Sequence, residues 1–521
     1  MDASRTYQAR ITVEDRDIEA LFECADLFAH VEHSLFADIA KGKNPNTLKS
    51  LYLIRHGISA RHFNAIRVKI EGKIASIKEL RKRHILEVKE RIKNTEKKIT
   101  RIKNPLVIHQ KKRRLHSLKK RLEKLEQDRL PLCFGSKKLF HAQFNLEANG
   151  YKSQEEWKAA WQHARANEIF LLGSKDETSG NQSCTATLEE DGTLSLRIRF
   201  PDALAGTYGK YLHIKGVHFA YGQKEIIASL TDSHQRQLFA KAKDPRYKNH
   251  GKALTYRLKH DKKGWRIFIT TELPTPQWIS NKNHGVIGVD INVDHLALVD
   301  IDRFGNPVLK KTIPLNLYGK TKEQSLALIG DASAEIISYA EKTSKPVILE
   351  NLDFQKKKGQ LKESSPSLAR TLSSFAYQAI LTHIKSRGWN KKIQVHQVNP
   401  AYTSLIGKVK FASRYGLSLH HAAALCIGRR FLNLSEKVPR HLDKIPDGKD
   451  GHIALSLPVR NRNKHVWSLW RQINKKTQAA LAARFRTKRS SSTVKTAPET
   501  ENLPDSDGET PTRESLASLF G

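Results

Sequence analysis

The stretch Val286-Ile-Gly-Val-Asp-Ile-Asn-Val-Asp-His-Leu-Ala-Leu-Val-Asp300 decides how this chain is read. An apolar run delivers one carboxylate, Asp290, and a second β-rich run follows within a few residues. Short apolar runs bounded by polar breaks read as buried strands. A single acid at such a place is ordinarily a cap before a turn. The reading changes because Pro346-Val-Ile-Leu-Glu-Asn-Leu352 carries a second acid, Glu350, out of the same kind of run.

Working outward, β runs at 286–291, 296–301 and 307–314 precede a helical pattern over 322–342 and a strand at 347–352. A helix over 368–387, a strand at 392–398 and a helix from about 418 to 431 complete the series. Strand, strand, strand, helix, strand, helix, strand, helix is the element order of the ribonuclease-H-like fold. In that fold carboxylates gather at the ends of adjacent central strands, here the first and fourth. Asp290 and Glu350 would then form a divalent-metal site. Phosphodiester hydrolysis by two metals about 3.5–4 Å apart needs hard oxygen ligands that clamp the attacking and leaving oxygens. A third ligand is expected from the helix in Gly416-Leu-Ser-Leu-His-His-Ala-Ala-Ala-Leu-Cys-Ile-Gly-Arg-Arg430.

The 521 residues suffice for several domains, and Lys and Arg total 91 against 53 Asp and Glu, a net charge of +38. That surplus points to a polyanionic partner, nucleic acid rather than a membrane surface. No membrane-length apolar run or secretory signal is read in the sequence. Cys24, Cys133, Cys184 and Cys426 are scattered without a CxxC pair, which argues for a reducing, cytoplasmic setting and against structural zinc.

Ahead of the acidic strands the texture is different. Residues 5–12 read as a strand and 18–39 as an amphipathic helix. Ile70, Ile74, Ile77, Ile85, Val88, Ile92, Ile99 and Ile102 then repeat at three and four until Asn104-Pro105 breaks the helix. Leu115, Leu118, Leu122 and Leu125 resume the spacing, so an antiparallel helical hairpin is expected. Its return helix carries Lys111, Lys112, Arg113 and Arg114, then Lys119, Lys120 and Arg121. A dimerising coiled coil is one reading of this rod. The excess of one sign favours a rod lying along a phosphate backbone, with salt-dependent binding. From 132 to 274 short β runs separated by turns suggest a small barrel with a basic face, interrupted by a helix over 153–167. Residues 225–230 are counted among its strands.

The residues also carry a resemblance. Gly288-Val-Asp-Ile-Asn292, Val347-Ile-Leu-Glu-Asn-Leu352, Val398-Asn-Pro-Ala-Tyr-Thr-Ser404 and the small-residue helix with Ala422-Ala-Ala424 resemble the motifs of TnpB-type transposon proteins. These are RNA-guided nuclease relatives of type V CRISPR effectors. Phe134-Gly-Ser-Lys-Lys138, Gly173-Ser-Lys-Asp-Glu177 and Gly180-Asn-Gln182 resemble one branch of that family, and the resemblance covers roughly residues 5–435. It implies a RuvC-type catalytic domain working with Mg²⁺, a guide RNA and a target DNA read beside a short flanking motif.

Two departures stand out. The family's zinc-ribbon cysteines are missing from the interval 405–419, so no zinc is expected. Where the family places its third acid, ahead of the alanine-rich helix, this chain has His420, with His421 beside it. Ser418 is expected to cap that helix, and the positive helix terminus to favour a neutral imidazole that binds metal or accepts a proton. A site of Asp290, Glu350 and His420 would accept Mg²⁺ and tolerate or prefer Mn²⁺. Asp443, Asp447 and Asp450 are reserve candidates for the third acid, and Asp294 and Asp353 read as turn and strand-end residues. Lys356, Lys357 and Lys358, just past Glu350, are positioned to guide a single strand to the metals. Tyr402 and Trp389 read as core residues rather than base-stacking ones.

The expected architecture is therefore multidomain: a β-barrel from 1–15 and 132–280, a helical recognition domain over 16–131, an α/β ribonuclease-H-like domain over 281–485 and a disordered tail over 486–521. The leading functional expectation is an RNA-guided DNA endonuclease. A guide-RNA-bound regulator that binds DNA without cutting, and an RNA-binding factor on an inactive scaffold, are the alternatives. Neither membrane partner nor oligomeric state is indicated.

Overall fold

The computed structural model describes residues 3–127, 130–292, 294–352, 374–438, 444–446, 452–454, 458–461 and 463–492. The chain divides into two compact units, the first taking in the described residues up to Pro276 and the second those from Gln277 on. No helix among the described residues is long and apolar enough to cross a membrane.

In the first unit, helix Asp15–Ala40 buries Leu21, Phe28 and Leu35, and a second helix, Pro45–His56, follows. This second helix is absent from the sequence reading, although Asn44 caps it and Pro45 opens it. Helices Ala60–Ile99 and Pro105–Glu126 form an antiparallel pair: Lys89 meets Glu126 at 3.0 Å and the later Glu96 meets the earlier Lys119 at 3.5 Å. Asn104-Pro105 ends one helix because it starts the other, the Asn104 side chain accepting from the backbone N–H of Leu106 and Val107. Of the basic positions on the return helix, Lys112, Arg113, Lys119, Lys120 and Arg121 are exposed, whereas Lys111 and Arg114 are half-buried.

The strands of this unit correct the expected barrel. Ala3–Arg10, Gly264–Leu273, Thr255–Asp261 and Glu168–Leu171 make a four-stranded antiparallel sheet in that order, and Cys184–Leu188, Leu194–Arg199 and Tyr211–Val217 a separate three-stranded one. Among the described residues no ladder joins them. Their inner faces instead share one core, in which Ile169, Leu196, Tyr256 and Ile267 pack with Leu21 and Phe63 of the helices. Residues 225–230 are helical, not extended, within Gln223–Lys241. The adjacent β-branched pair Ile226-Ile227 suggested a strand, but Ile226, Ser229 and Ser233 are buried at helical spacing.

The second unit is built on strands β1 (Val286–Ile291), β2 (His295–Ile301), β3 (Pro307–Pro314), β4 (Val347–Glu350) and β5 (Val395–Val398). The sheet order is β3-β2-β1-β4-β5, with β2 antiparallel to both neighbours and β4 and β5 parallel to β1. This is the mixed sheet of the ribonuclease-H-like fold. Helices α1 (Lys322–Thr343) and α2 (Ser374–Asn390) cover one face, and α3 (Leu419–Phe431) the other. Strand alternation divides the core accordingly. Ile287, Val289, Val347 and Leu349 pack with Ile329, Ile336 and Ile384, while Val286 and Ile348 pack with Ala422, Ala424 and Leu425. The interval after β5 runs through helical turns, π-helical over Gly407–Ala412, and adds Val409 and Phe411 to the α3 core. A final helix, Val466–Ser492, seals that core with Leu469, Trp470 and Ile473 and runs past Arg486, the expected start of the disordered tail. Residues 493–521 of that tail lie outside the described residues.

Gly288 permits this packing. A Cβ there would fall 2.0 Å from the Ala424 carbonyl oxygen, backbone against backbone. Gly288→Ala is expected to cost about 1–3 kcal/mol of stability, as overpacked cores do, read as a lower urea midpoint with unchanged slope.

The first unit carries an acid sensitivity. His62 is fully buried beside Phe28, and burial pushes its pKa from 6.5 down to about 4. The unfolded chain therefore binds the proton more tightly, so stability is intact above pH 6.5 and falls as pH drops from 6.5 toward 4. At full effect His62 accounts for about 3 kcal/mol. Urea unfolding at pH 7.5 and 4.5 measures this, and His62→Phe is expected to reduce the difference between the two midpoints.

Candidate active site

The paired strands place the two carboxylates. Ile348 on β4 lies opposite Gly288 on β1, and Glu350 and Asp290 each stand two residues further along these parallel strands. Side chains two apart share a face, so both acids project on the α3 side, where Gly288 meets Ala424. The close approach at Gly288 brings the first turn of α3 to Asp290. Ser418 caps α3, accepting from the His421 backbone N–H at 3.2 Å. His420 then sits in the first turn, its Nδ1 3.3 Å from Asp290 Oδ2.

Asp290 is buried, at 8% exposure, and Asn292 Nδ2 also donates to its Oδ2 at 3.1 Å. The hydrogen bond to Asp290 raises the His420 pKa above its ordinary value, with the Asp290 and Asp294 charges adding to it and burial opposing. The shift runs opposite to the one expected from the helix terminus. A carboxylate in hydrogen-bond contact outweighs the partial charge of a helix terminus. His421 behaves differently. Its Nδ1 is 2.8 Å from Ser418 Oγ and its Nε2 3.3 Å from Thr312 Oγ1, and burial lowers its pKa. Both ring nitrogens are engaged in holding α3 against β3, so His421 is a packing residue.

Glu350 is oriented from the segment after β5. Thr403 Oγ1 donates to Glu350 Oε1 and also lies 3.0 Å from the Pro400 carbonyl. Tyr402, in the left-handed region at φ 62°, turns the chain so that buried Thr403 faces the acid. The backbone beside the acid is held too: Tyr377 Oη donates to the Glu350 carbonyl, and the Asn351 N–H to Val398 O at 2.8 Å.

Asp290, Glu350 and His420 thus converge on one face. Among the described residues, no three His, Cys, Asp or Glu groups already form a preformed metal site. The donor set still suits a divalent cation: two carboxylates on neighbouring strand ends and an imidazole at a helix start. Lys356, Lys357, Lys358, Asp353, Asp443, Asp447 and Asp450 lie outside the described residues. Trp389 packs edge-on against Trp278 at 5.6 Å, and Tyr402 lies against the α3 core. Three residues escaped the sequence reading as site members: Asn292, His295 and Thr403. Asn292 and Thr403 stand inside motifs quoted above, but nothing local in those motifs says which carboxylate each will touch. His295 joins the cluster through its Nδ1, 2.7 Å from Asp294 Oδ1, and its ring meets that of His420 edge-on at 4.9 Å. That hydrogen bond from His295 holds the Asp294 carboxyl below its ordinary pKa.

No protein-family model and no curated protein matches the chain. Among solved structures, RuvC of T. thermophilus in complex with Holliday junction substrate is 14% identical, covering 27% of this chain and 88% of that one, with a TM-score of 0.21. A CRISPR-Cas12f ternary complex solved by cryo-EM is 12% identical, covering 81% of this chain and 98% of that one, also with a TM-score of 0.21. Likenesses at this level carry no argument, and the fold assignment rests on the strand order itself.

Thr403→Val preserves shape and removes the hydroxyl from Glu350. Loss of such an orienting partner is expected to weaken divalent-metal affinity roughly tenfold or more, measured by calorimetric titration, with little change in melting temperature.

Proposed function

We propose that this chain is an RNA-guided, divalent-metal-dependent DNA endonuclease. The observation that carries the reading is the projection of Asp290 and Glu350 on one face of a ribonuclease-H-like sheet, with His420 delivered to Asp290 by α3. A net charge of +38 supplies the complement to a polyanion. Asp290 and Glu350 would hold Mg²⁺, or Mn²⁺, with His420 beside them. The bound ion would polarise the scissile phosphate and lower the pKa of water. Thr403 fixes the Glu350 carboxylate and His420 that of Asp290, so neither acid has to be reoriented when substrate arrives. The exposed Lys112, Arg113, Lys119, Lys120 and Arg121 on the helical pair would neutralise phosphates of a guide RNA or its heteroduplex with target DNA. The resemblance to TnpB-type proteins in the motifs around Asp290, Glu350 and Thr403 supports the guided mode.

A second reading is favoured by one contact. His420 bonded to Asp290 places an imidazole where an acid would have drawn in a cation. A chain of that kind would bind guide and target without cutting.

The test is to purify the protein with its copurifying RNA and supply DNA that carries a matching target beside a randomised flank, with Mg²⁺ or Mn²⁺. The endonuclease reading expects cleavage, reduced by at least a thousandfold in Asp290→Ala and in Glu350→Ala while target binding persists. Target retention without cleavage by the unmodified protein would establish the second reading instead. RNA binding without target capture would overturn both.

A further inference from the structure

His295 opens β2, across the turn from Asp290, and neither the motifs nor the proposed function assigns it a role. Its Nδ1 lies 2.7 Å from Asp294 Oδ1. A carboxylate only accepts, so Nδ1 carries the hydrogen and Nε2 is left with the lone pair. Nε2 lies 3.4 Å from Asn292 Nδ2, and that same amide donates to Asp290 Oδ2 at 3.1 Å. One NH₂ group thus stands between two Lewis bases, an aspartate oxygen and an imidazole nitrogen. A carboxylate behind one ring nitrogen, with the other ring nitrogen turned into a cluster of donors, is the arrangement proteins use to orient a metal-ligating histidine. A histidine serving only the turn would need just the backbone bond, Asn292 N–H to His295 O at 3.0 Å, which makes no use of the ring.

We infer that His295 Nε2 is a metal ligand shared with Asp290, with the Asn292 amide holding the cation's place until an ion displaces it by side-chain rotation. The inference rests on the reading of Asp290 as a metal-binding carboxylate. It deepens that reading by naming the ion preferred. His420 Nδ1 is committed to Asp290 Oδ2, whereas His295 Nε2 already has its other nitrogen bonded by a carboxylate. An imidazole in the ligand set disfavours Mg²⁺, which prefers oxygen donors in strict octahedral geometry, and favours Mn²⁺ and Co²⁺.

The test is calorimetric titration of the full-length, chelator-treated protein with Mn²⁺ and with Mg²⁺, together with visible absorption on adding Co²⁺. The expected result is Mn²⁺ affinity at least tenfold above Mg²⁺ affinity. His295→Ala and His295→Gln should both lose at least tenfold in Mn²⁺ affinity and alter the Co²⁺ spectrum, with Mg²⁺ affinity changing less. Asp294→Asn should give an intermediate loss. Mn²⁺ binding that needs Asp290 but is unchanged in both His295 variants would overturn the inference and leave the carboxylate site standing. Binding unchanged by Asp290→Ala, or no Mn²⁺ binding at all, would overturn the inference and the reading beneath it together. Thermal unfolding of each variant separates loss of a ligand from loss of the fold.

Discussion

Helix α3 lies against strand β1 with no side chain between them at Gly288, where a Cβ would fall 2.0 Å from the Ala424 carbonyl oxygen. The opposite side of the helix is as close: a Cβ on Gly407 would fall 2.5 Å from the Ala422 carbonyl. Gly428, one turn further on, leaves room for the side chains of Ile301 and Val286, which a Cβ there would meet at 2.2 and 3.0 Å. Ala422, Ala423 and Ala424 are essentially inaccessible. A helix gripped between two backbones has little freedom to slide or rotate, because packed cores do not deform continuously. Its first turn is therefore placed by its middle. That placement carries His420 to Asp290 and sets the helix over the strand ends where the acids project.

The two buried aspartates of the β1–β2 pair show what is particular about the site. Asp300, at the far end of β2, is answered by Lys345 Nζ at 2.5 Å and by Tyr339 Oη at 2.8 Å. It is a compensated structural charge of the kind buried groups require. Asp290 is also buried, yet among the described residues it has no lysine or arginine beside it, only an amide and an imidazole. Its partners orient the carboxylate without the lysine that answers Asp300. Glu350 is half-buried and is oriented by the Thr403 hydroxyl.

Much of this was legible in the sequence. A continuous apolar run marked β1 to the residue, because a strand buried on both faces needs one, while β3, a largely exposed edge strand, was bounded by its flanking turn residues and prolines. The element order then specified the sheet and put Asp290 and Glu350 at the ends of its first and fourth strands, whereas His420 was singled out only through the resemblance in the motifs. What was not legible is nonlocal. Thr403 lies 53 positions from Glu350, and only the turn at Tyr402 aims it there. The His295 ring gains its meaning from Asp294 and Asn292 acting together, in a hairpin whose short span the alternation of β residues does not resolve. The misreading at 225–230 has the opposite cause. Ile226 and Ile227 favour strand locally, but their packing belongs to a helix, and tertiary context overrides a weak propensity. The barrel expectation failed similarly, since strand count says nothing about whether the first and last ladders meet.

The central claim is that Asp290 and Glu350 form one cation site at the end of a sheet held by α3. The most direct measurement is anomalous diffraction from crystals of the protein soaked in Mn²⁺. A Mn²⁺ peak bonded to carboxylate oxygens of both Asp290 and Glu350 is the predicted result. Ordered carboxylates with no anomalous density between them at saturating Mn²⁺, or a peak ligated elsewhere alone, would contradict it.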